Sequence, residues 1–329
     1  MARTSLGTFL YGSVFLPTVQ LLFRKARHWP GVLRGLEVTR DVPYGPLPAQ
    51  KLDVYRPAAT GAASLPAATE PGGVARPGGL PVVIHIHGGG FRYFSKDTHW
   101  AMAAAFARTG ALVFNVDYRL APAHRYPAAF DDVVEAALHV ARVAPGLGGD
   151  LSRLVLAGES AGANLVTGLA IALCWRQEDE RLASLYDRLP APRVLLPACG
   201  YLEVSHPERH AAERKIAPFI EGRIHQVTEQ YLPDHRDPKP SHRFANPLAF
   251  LESAPPPDRP FPATFALVGS NDPVIGDTVR IAPAVRRLGA TGETKVYEGG
   301  MHAFHAMRWK GLAKQAWTDQ LAFMAKHQR

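Results

Sequence analysis

The chain has 329 residues, of which 47% are hydrophobic and 20% charged, ordinary values for a globular protein with a full core. This length suits one large catalytic domain with insertions, or two smaller domains. The formal net charge is +8, but acidic residues are interleaved with the basic ones and no arginine-rich block is present, so we predict no nucleic-acid binding. Two cysteines in a chain of this length do not make a disulfide framework.

The N-terminal segment is the first feature along the chain. Ser5 to Phe23 carries no formal charge and is flanked by basic residues on both sides, and its length reaches that of a membrane-spanning helix. Polar residues and glycines make it only moderately apolar, and no signal-peptide cleavage site follows. We expect residues 1–45 to pack on the protein as a cap element or to lie on a membrane surface. A true anchor and a cleaved signal are the alternatives, and the basic flank favours a cytoplasmic location.

The rest of the chain alternates between two kinds of pattern. Short apolar runs have the length of buried parallel strands, and the runs between them have helical periodicity. This alternation predicts an α/β fold with a mostly parallel central sheet and helices on both faces. The strand runs are Lys51–Tyr55, Pro81–Ile86, Ala111–Val116, Arg153–Ala157, Val194–Leu196, Thr264–Val268 and Thr294–Tyr297, and the helical runs are Trp100–Arg108, Phe130–Ala144, Ala161–Trp175, Phe219–Tyr231, Val279–Leu288 and Leu312–His327.

Two regions interrupt the alternation. Residues 56–79 are rich in Pro, Ala, Gly and Thr, so we expect a flexible loop there. The interval from Leu196 to Thr264 is too long for a simple crossover and too apolar for a disordered loop. We expect residues of about 201–245 within it to form a helical cap insertion over the carboxyl edge of the sheet, and the remainder of residues 46–329 to form the catalytic domain.

A strand run leads into Gly158-Glu-Ser-Ala-Gly162, where a small-residue helical run begins. In an open parallel sheet, active sites form beyond the carboxyl ends of strands. Gly-x-Ser-x-Gly at such a place is typical of a nucleophile elbow, a strained strand-to-helix turn that exposes a serine hydroxyl. A serine that only caps the helix is the alternative interpretation of so short a pattern. We predict that Ser160 is a catalytic nucleophile.

A serine nucleophile needs a histidine base and a carboxylate that orients the base. In this kind of fold the acid and then the histidine follow the serine along the chain, at the ends of later strands. Asp272 follows the strand run at Thr264–Val268, and His302 follows the run that ends at Tyr297. Asp277 and His305 lie farther from their strand ends. We therefore predict Asp272 and His302 as the other two members of a catalytic triad.

Acyl transfer also needs hydrogen-bond donors for the developing oxyanion. His87-Gly-Gly-Gly90 follows the strand run that ends at Ile86, and its glycines leave backbone amides unshielded by side chains. The amides of Gly89 and Gly90, with that of Ala161 after the nucleophile, are predicted to form a three-donor oxyanion hole.

A zinc site is the competing interpretation of the histidines. His85 and His87 alternate on a strand and could face one side, and His302 and His305 lie nearby in the predicted fold. No acidic third ligand stands at a useful spacing. We therefore expect neither a metal nor a cofactor.

Taken together, these motifs resemble the hormone-sensitive-lipase-like branch of the α/β-hydrolases over about residue 50 to the C-terminus. Glu159 stands where that family commonly has Asp, and the 56–79 loop and the long apolar N-terminus also depart from its pattern. The segments that carry the resemblance are His87–Gly90, Asp117–Pro122, Tyr126-Pro127, Asp131-Asp132, Gly158–Gly162, Tyr231–Asp234, Asn246–Leu248 and Asp272–Val274.

The resemblance implies an α/β-hydrolase fold and a serine carboxylesterase with Ser160, Asp272 and His302 as the triad. The predicted substrate is a small acyl ester of short to medium chain length. An acyltransferase, an amidase or a small-molecule deacetylase would keep the same triad, and a non-catalytic ligand receptor on this scaffold is a further alternative. The partners that we expect besides the substrate are a membrane surface and a second copy of the chain in a homodimer.

Overall fold

The computed structural model describes residues 16–58, 78–237 and 239–328. Its centre is an eight-stranded sheet with the strand order β1-β2-β4-β3-β5-β6-β7-β8. The first two strands are antiparallel to their neighbours and the other six run parallel. The strands are β1 (Leu36–Pro43), β2 (Lys51–Pro57), β3 (Leu80–Ile86), β4 (Leu112–Val116), β5 (Gly149–Glu159), β6 (Val194–Ala198), β7 (Ala263–Gly269) and β8 (Gly292–Tyr297).

Ten α-helices accompany the sheet within these described ranges. They are α1 (Leu16–Ala26), α2 (Trp100–Ala107), α3 (Ala128–Val143), α4 (Ala161–Cys174), α5 (Glu180–Arg188), α6 (Arg209–Glu213), α7 (Pro218–Tyr231), α8 (Pro247–Ser253), α9 (Ile275–Arg287) and α10 (Gly311–His327). Short 3₁₀ turns occur at Pro145–Leu147, Pro240–Phe244 and Phe304–Ala306.

The sheet separates two hydrophobic cores because successive residues of a strand point to opposite faces. On β3, Ile84 belongs to a core that also contains α3, α4 and α9, whereas Val83 belongs to a core that contains α2 and α10. Both side chains are fully buried. Because both faces of the central strands are buried, their sequences are continuous apolar runs. The predicted α/β fold with helices on both faces is confirmed.

Several elements differ from the sequence prediction. The N-terminal segment was predicted to extend to residue 45, but Leu36–Pro43 joins the sheet as its edge strand β1. This strand was missed because only some of its residues are apolar and most of them are exposed, with an irregularity between Thr39 and Val42. The helices α5 and α8 were also missed.

Parts of two predicted segments lie outside the described residues: residues 5–15 of the apolar N-terminal stretch and residues 59–77 of the predicted loop. Of the N-terminal stretch, the structure describes α1, which runs beyond Phe23 to Ala26. None of the helices in the three described ranges has the length and apolarity needed to cross a bilayer.

The interval between β6 and β7 is helical, as expected. It contains α6, α7, a 3₁₀ turn and α8. Helix α7 approaches the loop after β3, since a Cβ atom placed on Gly90 would lie 3.0 Å from Cγ2 of Val227. The boundaries of a cap, at about 201–245 with the N-terminal segment, stay a prediction.

Candidate active site

Ser160 occupies the turn between β5, which ends at Glu159, and α4, which begins at Ala161. Its φ and ψ angles are +52° and −113°, a conformation that non-glycine residues rarely adopt and that costs of the order of 1–3 kcal/mol. Hydrogen bonds hold the turn at both the amide and the carbonyl of Ser160. The amide of Ser160 donates to the carbonyl of Ala198 at 2.9 Å, and its carbonyl accepts from the amides of Asn164 at 3.2 Å and Tyr201 at 3.3 Å.

The two glycines of the Gly-x-Ser-x-Gly motif are required by backbone contacts. A Cβ atom on Gly158 would overlap the carbonyl group of Gly162 across the turn. A Cβ atom on Gly162 would overlap the carbonyl oxygens of Ile86 and His87, at the end of β3. The elbow is therefore pressed against the neighbouring strand end.

The structure brings the three predicted triad residues into one hydrogen-bonded chain. Nε2 of His302 lies 2.9 Å from Oγ of Ser160, and its Nδ1 lies 2.9 Å from Oδ2 of Asp272. Asp272 is fully buried, and its other carboxylate oxygen accepts from the amide of Val274 at 2.9 Å. Because the carboxylate accepts a hydrogen bond from Nδ1–H, the neutral imidazole leaves Nε2 as the acceptor for the serine hydroxyl.

The electrostatics of this hydrogen-bonded chain stabilise the protonated form of His302 relative to a free imidazole. Burial by itself would lower the pKa of His302, but the Asp272 carboxylate outweighs it and holds that pKa above the ordinary value. Arg214 donates to the backbone carbonyls of Ser270 at 3.1 Å and Asp272 at 2.8 Å. The loop that carries the acid is thus held by its backbone, which leaves the carboxylate free to face the histidine.

The predicted oxyanion loop has the backbone that its glycines allow. Gly89 and Gly90 have φ angles of +114° and +59°, and a Cβ atom on Gly89 would overlap the carbonyl oxygen of Tyr93. Within the described ranges, the amides of Gly89 and Gly90 donate to no acceptor of the chain. Ala161 is the first residue of α4, where an amide has no helical carbonyl to bond. These three amides are available to a ligand.

The oxyanion loop rests on the segment that follows β4. The Tyr118 hydroxyl donates to the carbonyl of His87 at 3.1 Å, and the two rings stack at 4.3 Å. Nδ1 of His87 donates to the carbonyl of Gly88 at 2.7 Å. Burial lowers the pKa of His87 to about 3, so the ring stays neutral. The amide of Ala121 donates to the carbonyl of Phe91 at 2.8 Å.

The alternative candidates from the sequence lie elsewhere. Asp277 accepts from the amides of Leu202 at 2.7 Å and Glu203 at 3.1 Å and pairs with Arg209. Nε2 of His305 lies 3.7 Å from Glu159. These positions place Asp277 and His305 outside the hydrogen-bonded chain of Ser160.

The histidines considered for zinc are also engaged. Nδ1 of His85 lies 2.9 Å from Oδ1 of Asn115, whereas His87 bonds the oxyanion loop. Among the described residues, the group whose side chains could meet at a metal ion is Cys199, Asp272 and His302. It shares two residues with the hydrogen-bonded chain, so an ion there would compete with that chain.

Comparison with known proteins gives the family. The sequence profile of a family described as having an alpha/beta hydrolase fold matches residues 83–306. An esterase of Acinetobacter venetianus is 30% identical over 253 residues, which cover 74% of this chain and 74% of that protein. This chain belongs to the α/β-hydrolase family. The resemblance predicted from the motifs is confirmed.

Two further similarities support this assignment. The carboxylesterase NlhH of Mycobacterium tuberculosis is 49% identical over 92 residues, which cover 28% of this chain and only 29% of that relative. The crystal structure of the esterase LipW from Mycobacterium marinum has a TM-score of 0.74 at 23% identity, covering 99% of this chain and 91% of that one. The structural likeness shows a shared fold.

Sequence analysis left one residue of this α/β-hydrolase without a role. Glu159 is buried beside Ser160, with one carboxylate oxygen 3.6 Å from Nε2 of His99 and the other 3.7 Å from Nε2 of His305. Burial would raise the pKa of Glu159, but the imidazoles around it lower the pKa to about 2. A cavity of about 10 Å³, lined by Glu159, Gln320 and several apolar side chains, has room for about one water molecule. No sequence motif pointed to His99.

We expect the close backbone approach at Gly162 to be measurable as stability. Gly162→Ala should lower the free energy of unfolding by about 2–3 kcal/mol or more, because the new methyl group meets fixed carbonyl groups of β3. Gly222→Ala is the control, since Gly222 lies in α7 with no atom near its missing Cβ, and it should stabilise by about 0.5–1 kcal/mol. Urea unfolding of both variants gives the comparison. Equal effects of the two substitutions would contradict this packing argument.

Proposed function

We propose that this α/β-hydrolase is a serine carboxylesterase that acts on short- to medium-chain acyl esters through an acyl-enzyme. The observation that carries the proposal is the chain of two 2.9 Å hydrogen bonds from Ser160 through His302 to Asp272. The names of its relatives, a carboxylesterase and an esterase, support the same chemistry.

In the proposed mechanism, Ser160 Oγ attacks the ester carbonyl carbon while His302 Nε2 takes the hydroxyl proton. The carbonyl oxygen becomes an oxyanion that accepts from the amides of Gly89, Gly90 and Ala161. His302 then gives its proton to the leaving alcohol, and the acyl group remains on Ser160. In the second half of the cycle, water gives a proton to His302 and attacks the acyl carbon, and His302 returns that proton to Ser160 Oγ as the acid leaves. Asp272 holds the tautomer of His302 and stabilises its charged form.

The groups that this mechanism needs are all supplied by the chain, so the proposal includes no cofactor or metal ion. An acyltransferase, an amidase or a deacetylase would use the same three side chains and differ in the nucleophile that is admitted or the leaving group that is accepted. A receptor would have no use for a serine held at a strained φ of +52° against a histidine. Strain of this kind is typical of reacting groups, which favours an enzyme.

We also propose that residues of about 201–245, with the N-terminal segment, form the cap that limits the acyl pocket. Helix α7 places Val227 against the glycine loop at Gly90. A Cβ atom placed on Gly90 would lie 3.0 Å from Cγ2 of Val227, so this apolar side chain narrows the space beside the reacting carbonyl. The catalytic domain, residues 46–329 outside this insertion, holds the proposed triad.

Replacement of the proposed triad residues tests the mechanism. Ser160→Ala should lower kcat for p-nitrophenyl butyrate by about 10³-fold or more, and an organophosphonate should label Ser160 alone. Asp272→Asn should lower kcat by about 10⁴-fold because it favours the wrong tautomer of His302. Asp277→Asn, the matched control, should have a much smaller effect on kcat. A reversed order of the two aspartate variants, or an active alanine variant, would refute the assignment.

Acyl length tests the proposed cap. The kcat/KM values for p-nitrophenyl esters of two to sixteen carbons should peak at about four to eight carbons, because a pocket closed by α7 accommodates a limited apolar volume. Val227→Ala should move the peak towards longer chains. Val279→Ala, an exposed residue of α9, is the control and should leave the profile unchanged. A wild-type profile that rises up to sixteen carbons would contradict a confining cap.

Association with a membrane surface is proposed from helix α1 and the turn that follows it. Leu21, Leu22 and Trp29 are 53%, 61% and 66% exposed, and Arg24 and Lys25 lie in the last turn of the same helix. Apolar and basic side chains on one exposed helix are typical of an interfacial segment.

The homodimer stays a prediction, which light scattering of the purified protein can test.

Vesicle sedimentation measures this association. The full chain should bind vesicles that contain anionic lipid, and binding should weaken with salt because the basic residues contribute. Leu21→Glu/Leu22→Glu should reduce binding by at least about tenfold. Leu47→Glu, at another exposed leucine, should not change it. In cell fractions, release by carbonate indicates a surface association, and a requirement for detergent indicates an anchor. A protein that stays in the supernatant would refute the membrane proposal.

A further inference from the structure

Arg92 stands two residues after Gly90, the last glycine of the oxyanion loop, and is only partly exposed. Its Nε and Nη1 atoms are shielded from solvent, and neither has a hydrogen-bond partner among the described residues. The guanidinium lies over the ring of Tyr93, 4.8 Å from the ring centre, a contact that does not satisfy the N–H donors with an acceptor atom.

A second arginine faces the same ring. Arg223 of helix α7 lies 5.9 Å from the ring centre of Tyr93 and donates to Gln226 at 2.7 Å. It precedes Val227 by four residues, so the two side chains share one face of the helix, and Val227 is the residue that lies against Gly90. On α7, Arg223 is therefore about one helical turn, roughly 6 Å, from the residue that lies against the oxyanion loop.

Within the described part of the chain, no carboxylate forms an ion pair with Arg92. Two partly buried arginines near the sheet, Arg119 and Arg209, each have a carboxylate partner within 4 Å, and Arg308 donates to the carbonyl of Ala101. The Nε and Nη1 atoms of Arg92 have neither kind of partner among the described residues. Burial, with a further contribution from Arg223, lowers the pKa of Arg92 from its ordinary value. A shielded guanidinium with two unused donors is unfavourable on its own and becomes favourable when an anion completes it.

We propose that Arg92, assisted by Arg223, binds an anionic group of the substrate, and that the preferred esters carry a carboxylate. This inference rests on the proposed esterase function and names its substrate class. Half esters of dicarboxylic acids have a suitable length, since the free carboxylate of an extended glutarate or adipate monoester lies roughly 5–6 Å from the ester carbonyl carbon, about one helical turn. A phosphate group has the same hydrogen-bonding chemistry, and the test separates the two.

The test compares two esters that differ only in charge. Monoethyl adipate carries a carboxylate, and ethyl adipamate has a neutral amide of the same shape in its place. Ethanol release gives kcat/KM for each, and the ratio of the two values is the readout. A general disturbance of the loop lowers both values and leaves the ratio unchanged, so the ratio reports recognition of the charge.

The wild-type ratio should exceed one, and Arg92→Gln should lower it by about tenfold or more, the usual worth of a charge-assisted hydrogen bond. Arg92→Lys should retain part of the preference, since it keeps the charge. Arg125→Gln, at an exposed arginine outside this pair, is the matched control and should leave the ratio at the wild-type value. A wild-type ratio of one or less, or an unchanged ratio in Arg92→Gln, would overturn the proposal.

The same assays separate this inference from the proposed function. Turnover of p-nitrophenyl butyrate without a carboxylate preference refutes the anion site and leaves the proposed esterase function unchanged, whereas absence of all ester turnover refutes both.

A competition assay identifies the anion. Inhibition of ethyl adipamate hydrolysis by adipate supports a carboxylate. Inhibition by inorganic phosphate in its place keeps the anion site and assigns it to phosphate-bearing esters. Inhibition by neither anion counts against the site.

Discussion

The strained backbone of Ser160 is the constraint on which the rest of this site depends. A residue other than glycine keeps a positive φ only when the contacts around it stabilise that conformation by more than the strain costs. Here Ala198, Asn164 and Tyr201 fix the turn through its backbone. The neighbouring strand end leaves no room at Gly162 for a side chain. These contacts hold the backbone in the one conformation that directs the serine hydroxyl at His302.

Buried carboxylates near the turn reinforce this geometry through electrostatic contacts. Glu159 is buried one residue before the serine and sits between two imidazoles, so the loops that carry His99 and His305 are drawn to the elbow. A second buried carboxylate, Asp132, accepts from the amide of Arg119 at 2.8 Å and from Gln50 at 2.8 Å. It thereby orders the segment that supports the oxyanion loop. Asp132 is paired with Arg119, whereas the Nε and Nη1 donors of Arg92 have no partner among the described residues.

The sequence predicted the parts of this molecule that follow local rules. Buried strands such as β3 are continuous apolar runs, and Ser160, Asp272 and His302 each follow a strand end, so the shared carboxyl edge of the sheet places them together. Edge strand β1 follows no such rule, because an exposed strand needs few apolar residues. His99 was missed for another reason. Its partner Glu159 lies 60 positions away in sequence, and the contact arises only from tertiary packing.

The hydrogen-bonded chain also joins distant parts of the polypeptide. Ser160 and His302 are 142 residues apart, and the parallel strands between them must pair in register before the two side chains can meet. Such non-local contacts form late, since loop-closure entropy must be overcome first. A chain that has collapsed but has not completed β6, β7 and β8 would hold a serine without its base. Recovery of catalytic competence during refolding therefore reports the final docking of the C-terminal half, not the earlier acquisition of secondary structure.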